Sequence, residues 1–247
     1  MVVLKTNTVD NPYSEIIHNF LSRQLFISAN ASLVEKSLDI TSSFSGHSLV
    51  LGKDDKGQLI FFSRAFRLDK DNKKTKVAFL QQYLTLSLLV QSFEAFEAFL
   101  RDVYRKHIEL NVKGKSLQSY VSNGIPRSNL ELIKHLKQFY PSLGKYYKDK
   151  FLDFFESVQE VRHAVIHSDQ IMNAKSLKKL SGKKLFKEFF DLKNEGSERY
   201  RVQLKDKTSS ELTELFTSTG FQMFQLVSHD ENYPVAFEAK QGRRWDD

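Results

Sequence analysis

The stretch from Val77 to about Glu109 most limits what this chain can fold into. Phe79, Tyr83, Leu86, Val90, Phe93, Leu100 and Val103 follow one helical row, and Leu80, Leu84 and Leu88 follow a second. A helix that is apolar over more than one stripe is covered on two sides, either as the centre of its own bundle or with one face against a partner subunit. Gln81, Gln82, Gln91, Glu94 and Glu97 interrupt the run, so it reads as a buried helix and not as a membrane span.

Composition agrees with a helical fold. Only 10 Gly and 4 Pro in 247 residues are too few for the tight turns of a sandwich, barrel or repeat array, and 21 Phe supply a large core. The absence of cysteine excludes a disulfide scaffold, thiolate zinc sites, iron–sulfur clusters and a cysteine nucleophile, and suits a reducing, cytoplasmic setting. Met1 to Asp10 lacks the charged start, apolar core and small-residue cleavage site of a secretory signal, so the sequon Asn30-Ala31-Ser32 reads as chance.

The expected class is mainly α, a helical bundle with short β-hairpin additions. Ile16, Ile17, Phe20, Leu21 and Leu25 predict a first helix over Tyr13 to Ser28, after Asn11-Pro12. Ser48 to Leu51 and Gln58 to Phe62, around the polar turn Lys53 to Gly57, predict a hairpin. Leu68 to Lys76 is charged and without periodicity, and is read as the loop joining an N-terminal region of unknown role (1–76) to the main helical domain (77–229). Gly114 to Pro126 is turn-rich, and Asn129 to Phe139 is helical by its Leu130, Ile133, Leu136 spacing. Pro141 and Gly144 are read as breaks before a strong helix over Lys148 to Ser168. A second hairpin is predicted from Phe189 to Lys193 and Tyr200 to Leu204, then a last helix over Thr208 to Val227, which Gly220 weakens, and a flexible tail over 230–247.

The helix over Lys148 to Ser168 has two separable faces. Phe151, Phe154, Val158, Val161 and Val165 advance by alternating steps of three and four and form its core seam. Glu156, Glu160, His163 and His167 advance by four, three and four on the roughly opposite side, with Arg162 on the border between the two rows. Such a titratable row reads as a solvated face or as a site. A metal site is the weaker alternative: His163-Ala164-Val165-Ile166-His167 has Ala where a zinc-protease helix needs its Glu, and no Cys or third His lies nearby. A phosphate-binding loop at Gly114-Lys115-Ser116 fails because position 109 is Glu109 where Gly is required.

The run Glu160-Val161-Arg162-His163-Ala164-Val165-Ile166-His167-Ser168 resembles the Arg-(four to six residues)-His signature of the HEPN superfamily. Phe93-Glu94-Ala95-Phe96-Glu97-Ala98-Phe99-Leu100-Arg101-Asp102 is similar to the acidic, aromatic-rich helix that precedes the motif helix in many of its members. The resemblance covers roughly Val77 to Val227. It implies a bundle of four or five helices, a homodimer with motif helices face to face, and endoribonuclease activity without metal or other cofactor, in toxin or antiphage-defence systems with an antitoxin or defence partner. It assigns catalysis to Arg162 and His167, with His163 contributing and Glu97 or Glu160 holding an imidazole in place.

The chemistry fits those residue types. Attack of a ribose 2′-OH on the adjacent phosphorus builds negative charge on phosphate oxygens, which suits a permanently charged, forked donor such as Arg162. Moving the proton off the 2′-OH, or onto the leaving oxygen, suits an imidazole. The formal charge of +7 also has a local concentration: Lys175, Lys178, Lys179, Lys183, Lys184 and Lys187 follow the motif helix. This run is either a solvated face or a contact for RNA phosphates flanking the scissile one.

Overall fold

The computed structural model describes residues 11–43, 50–53, 59–61, 73–111, 124–126, 128–205, 208–230 and 233. Among them the chain is mainly helical with short β additions. The helices are α1 (Ser14–Ser43), α2 (Lys73–Asn111), α3 (Asn129–Phe139), α4 (Pro141–Tyr146), α5 (Asp149–His167), α6 (Ala174–Leu180), α7 (Lys184–Phe189) and α8 (Thr208–Ser228). The strands are β1 (Val50–Lys53), β2 (Leu59–Phe61), β3 (Ile171–Met172), β4 (Phe190–Asn194) and β5 (Tyr200–Leu204). No helix among the described residues is long and apolar enough to cross a membrane.

Much of the apolar surface of α2 is used inside this chain, although Tyr83 stays exposed and Leu84 and Leu88 are half-buried. Leu86, Leu89, Phe93, Phe96, Phe99, Leu100 and Val103 are all buried, and α1, α3, α5 and α8 pack around it. Phe96 is at the centre, with the rings of Phe20, Phe99, Phe151, Phe155 and Phe216 at centroid distances from 5.8 to 6.5 Å. Tilted and edge-on contacts dominate, as the ring quadrupoles favour. The seam of α5 faces the same core: Phe151, Phe154, Val158 and Val161 are buried and Val165 is partly so.

Helix α1 runs fifteen residues beyond its predicted end, and Ile27, Ala31, Val34 and Leu38 continue its spacing of three and four past the point where the prediction stopped. Tyr13 just before it, and its own Ile17, Phe20 and Leu21, join the same core as α2. Lys73 to Lys76, predicted as loop, form the first turn of α2, where Lys is a good helix former. Residues 68–72, most of the Gly114 to Pro126 turn, the turn of the first hairpin, Met1 to Asp10 and residues 234–247 lie outside the described residues. The first hairpin itself is present, β1 and β2 pairing antiparallel from Val50↔Phe61 to Lys53↔Leu59. Pro141 starts α4 instead of breaking the chain: at the first helical position its missing N–H costs nothing.

The second hairpin forms as predicted, β4 against β5 from Phe190↔Leu204 to Asn194↔Tyr200, with the two-residue β3 added on the other side of β5. The Gln82 side chain ties this sheet to α2, donating to the Leu204 carbonyl and accepting from its N–H, both at 3.0 Å. A reciprocal pair also satisfies the one buried glutamine of α1: Gln24 donates to the Ser92 carbonyl at 2.9 Å, and the Ser92 hydroxyl donates back at 2.6 Å.

Helix α8 closes the bundle through a glycine. A Cβ on Gly220 would collide with Cε1 and Cζ of the Phe20 ring, so the residue that weakened the helix on propensity is the one that lets α1 and α8 approach. Gly220→Ala is therefore expected to lower stability by about 1–3 kcal/mol through overpacking, despite alanine's better helix propensity of about 1 kcal/mol. Urea unfolding measures this, and a more stable variant would show that the contact relaxes freely. Beyond α8 the chain is partly held: Tyr233 is buried edge-on against Phe224 at 4.7 Å and its hydroxyl lies 3.0 Å from His18 Nε2. Asp230 accepts from Asn11 at 3.3 Å. Asp230 and Tyr233, both within the stretch predicted as a flexible tail, are thus held against the bundle.

Candidate functional site

The last two turns of α5 carry Arg162, His163 and His167, and the helix ends in a way that fixes them. The Ala164 carbonyl accepts from the N–H of Ser168 at 3.1 Å and of Gln170 at 2.9 Å, and the helix stops there with Asp169 and Gln170 at positive φ of 48° and 65°. Gln170 then continues into β3, and its carbonyl accepts from Val202 on β5 at 2.9 Å. On the inner side Val161 and Ala164 are buried. The outer side of the turn therefore stands on a packed base.

His163 and His167 are both exposed, one helical turn apart, with ring centroids 4.9 Å apart and planes tilted by 52°. Ile166 is exposed between Arg162 and His167. Arg162 is drawn toward α2, where its Nε donates to Oε1 of Glu94 at 3.1 Å and its Nη2 lies 3.0 Å from the same oxygen in an ion pair. Glu97, one turn further along α2, accepts from the Asn129 amide, and Asn129 in turn accepts from Arg101 Nη2 at 2.9 Å. Burial pushes the Glu97 carboxyl up; the charges of Arg162 and Arg101 and the Asn129 bond oppose that shift without cancelling it. The predicted trio thus shares one end of α5, with two carboxylates of α2 facing its guanidinium.

Neither predicted supporting carboxylate is hydrogen-bonded to an imidazole among the described residues. Glu160 accepts from the Ser176 hydroxyl at 2.6 Å and from Lys179 Nζ at 2.9 Å, and His163 acts on it only through its charge. The carboxylate that does contact the motif is Glu94, which sequence reasoning passed over. The available signal was its position three residues before Glu97 in an otherwise apolar helix. Its other side borders an open groove of about 450 Å³ between α1 and α2, lined also by Arg23, Phe26 and Gln91.

The basic run divides into two sets. Lys183 is only 12% exposed and bonds Asp153 and Glu156, both at 2.6 Å, while Lys179 pairs with Glu160. These two lysines therefore staple α6 and α7 onto the acidic row of α5, which competes with any role as phosphate contacts. Lys175, Lys178, Lys184 and Lys187 stay exposed and make no ion pair among the described residues. Among the described residues no group of three or more His, Asp or Glu is placed to hold a metal ion.

The staple has a pH signature. Burial alone would raise the Glu160 carboxyl, but the bonds from Ser176 and Lys179 and the charges of Lys179 and His163 outweigh it and hold the group below the usual carboxylate range. A depressed carboxyl contributes stability that is complete above its unfolded value, about 4.3, and is lost as pH falls through the lower folded value. Glu160→Gln is thus expected to flatten the acid side of the stability curve. Urea unfolding of both proteins between about pH 3 and 7 checks this; parallel curves would show that Glu160 does not carry the dependence.

No protein-family model, curated protein or solved structure matches this chain.

Proposed function

We propose that the chain is a metal-independent endoribonuclease of HEPN type, with Arg162 and His167 essential and His163 contributory. The observation that carries this is the grouping of one guanidinium and two exposed imidazoles on consecutive turns of a helix end whose opposite side is packed. In the proposed reaction the ribose 2′ oxygen attacks phosphorus as one imidazole takes its proton. The P–O5′ bond breaks as the other imidazole protonates the departing oxygen, leaving a 2′,3′-cyclic phosphate and a 5′-OH. Arg162 stabilises the charge on the non-bridging oxygens.

A second copy of the chain would bring a second Arg and His pair to the cleft. Exposed Ile166 on the motif helix, and exposed Phe26 on α1 beside the groove that Glu94 borders, support such a homodimer by offering apolar surface near the site. The exposed Lys175, Lys178, Lys184 and Lys187 are the remaining candidates for flanking phosphates. The cellular role we infer is that of a cytoplasmic toxin or antiphage-defence effector controlled by an antitoxin or defence partner.

One observation favours a second reading, a catalytically inactive HEPN module that binds RNA or dimerises: Arg162 is already paired with Glu94. Incubation of the purified protein with single-stranded RNA in EDTA separates the two. Cleavage to cyclic-phosphate ends by the wild type and not by His167→Ala supports the enzyme. RNA bound but left intact supports the inactive module, and equal cleavage by both proteins overturns the assignment of His167.

A further inference from the structure

A guanidinium offers two forked donor edges, a side edge made by Nε and Nη2 and an end edge made by Nη1 and Nη2. In Arg162 the side edge is occupied: Nε at 3.1 Å and Nη2 at 3.0 Å converge on the single oxygen Oε1 of Glu94. Among the described residues Nη1 donates to nothing, and the side chain remains one-third exposed. A carboxylate that blocked the residue would take the end edge with both oxygens. Glu94 instead grips one flank with one oxygen, and among the described residues no second carboxylate is hydrogen-bonded to the end edge.

The support behind Glu94 is rigid. It projects from the middle of α2, between the fully buried Phe93 and the buried Ala95. Without it, the four rotatable bonds of an arginine side chain would let the fork sweep a wide arc, and phosphate binding would have to bear the cost of ordering it. We propose that Glu94 is a positioning residue: it holds the plane of Arg162 by the side edge so that the end edge is presented to a phosphate of the RNA. This rests on the ribonuclease reading for its substrate, and on the bond geometry for the positioning itself.

The two neighbouring substitutions at this position separate positioning from charge. In Glu94→Gln the amide oxygen still accepts both N–H groups and the negative charge is gone, so cleavage is retained and KM for RNA is unchanged or lower. In Glu94→Ala the tether is lost, and kcat is expected to fall by about 10- to 100-fold, the size of effect that follows a misplacement of about 1 Å. The side-chain Nε–H signal of Arg162 in nitrogen-15 NMR should be sharp and protected from exchange in the wild type and in Glu94→Gln, and broadened in Glu94→Ala. Unfolding midpoints of all three proteins report any change that is merely structural.

Wild-type turnover in Glu94→Ala overturns the proposal, and faster turnover overturns it in favour of Glu94 as a mask over Arg162. If the wild type does not cleave RNA, the ribonuclease reading fails separately. The positioning claim is then read from the NMR signal and from binding of a 2′-O-methyl oligoribonucleotide, expected to weaken in Glu94→Ala and to hold in Glu94→Gln. Equal binding by the three proteins, with an unchanged Arg162 signal, overturns it.

Discussion

Arg162→Ala is expected to lower kcat/KM for RNA cleavage in EDTA by about 10²- to 10³-fold, the usual cost of removing one donor aimed at developing charge. His167→Ala is expected to cost about 10²- to 10⁴-fold, the range for a positioned proton carrier. The double variant should be no worse than the poorer single one, because groups acting in one transition state are not additive. Arg162→Lys should not restore activity: an ammonium cannot bond Glu94 with one edge and a phosphate with the other. A loss confined to KM would mean that Arg162 binds substrate and transition state alike, which contradicts the role assigned to it.

Phe96→Ala is expected to produce the largest loss of stability, about 3–5 kcal/mol, because a fully buried ring with five aromatic neighbours leaves a cavity that α1, α2, α5 and α8 must all collapse to fill. Against a total of about 5–15 kcal/mol this is a substantial fraction. At about 2–4 °C per kcal/mol for a chain of this size, the melting temperature should drop by about 6–20 °C. Calorimetry or urea unfolding checks the figure. Phe96→Leu should lose less, since it keeps most of the volume; equal losses in the two variants would mean that ring geometry matters more than the cavity.

The helical rows of α2 and α5 were legible because burial on a helix imposes a period, and Phe151, Phe154, Val158 and Val161 obey it. The second hairpin was legible from its apolar flanks around Asn194-Glu195-Gly196-Ser197. The far half of α1 was missed although Ala31, Val34 and Leu38 keep the helical spacing, because the polar Asn30, Ser32, Glu35, Lys36 and Ser37 dilute it. Strand β3 is two residues long and shows no alternation to find. At the site, the spacing of Arg162, His163 and His167 placed them correctly on one helix end. Their partners depend on which helix lies alongside, and a linear sequence does not state that. Glu94 reaches Arg162 across 68 positions, and Lys183 reaches Asp153 across 30. Read along the sequence alone, Lys183 was a solvated charge or a phosphate contact and Glu94 an interruption in an apolar helix.

The meeting of Phe20 with Gly220 has a further consequence during synthesis. The two residues are about 200 positions apart, and ribosomes add about 5–20 residues per second, so α1 waits about 10–40 s for its second wall. It can settle early against Phe96 and Phe99 of α2, but the face of Phe20 that meets Gly220 stays open to solvent throughout that interval. The nascent chain therefore carries a half-covered aromatic ridge until α8 emerges, which makes α1 the segment that chaperones would shield and that a stalled ribosome would leave exposed.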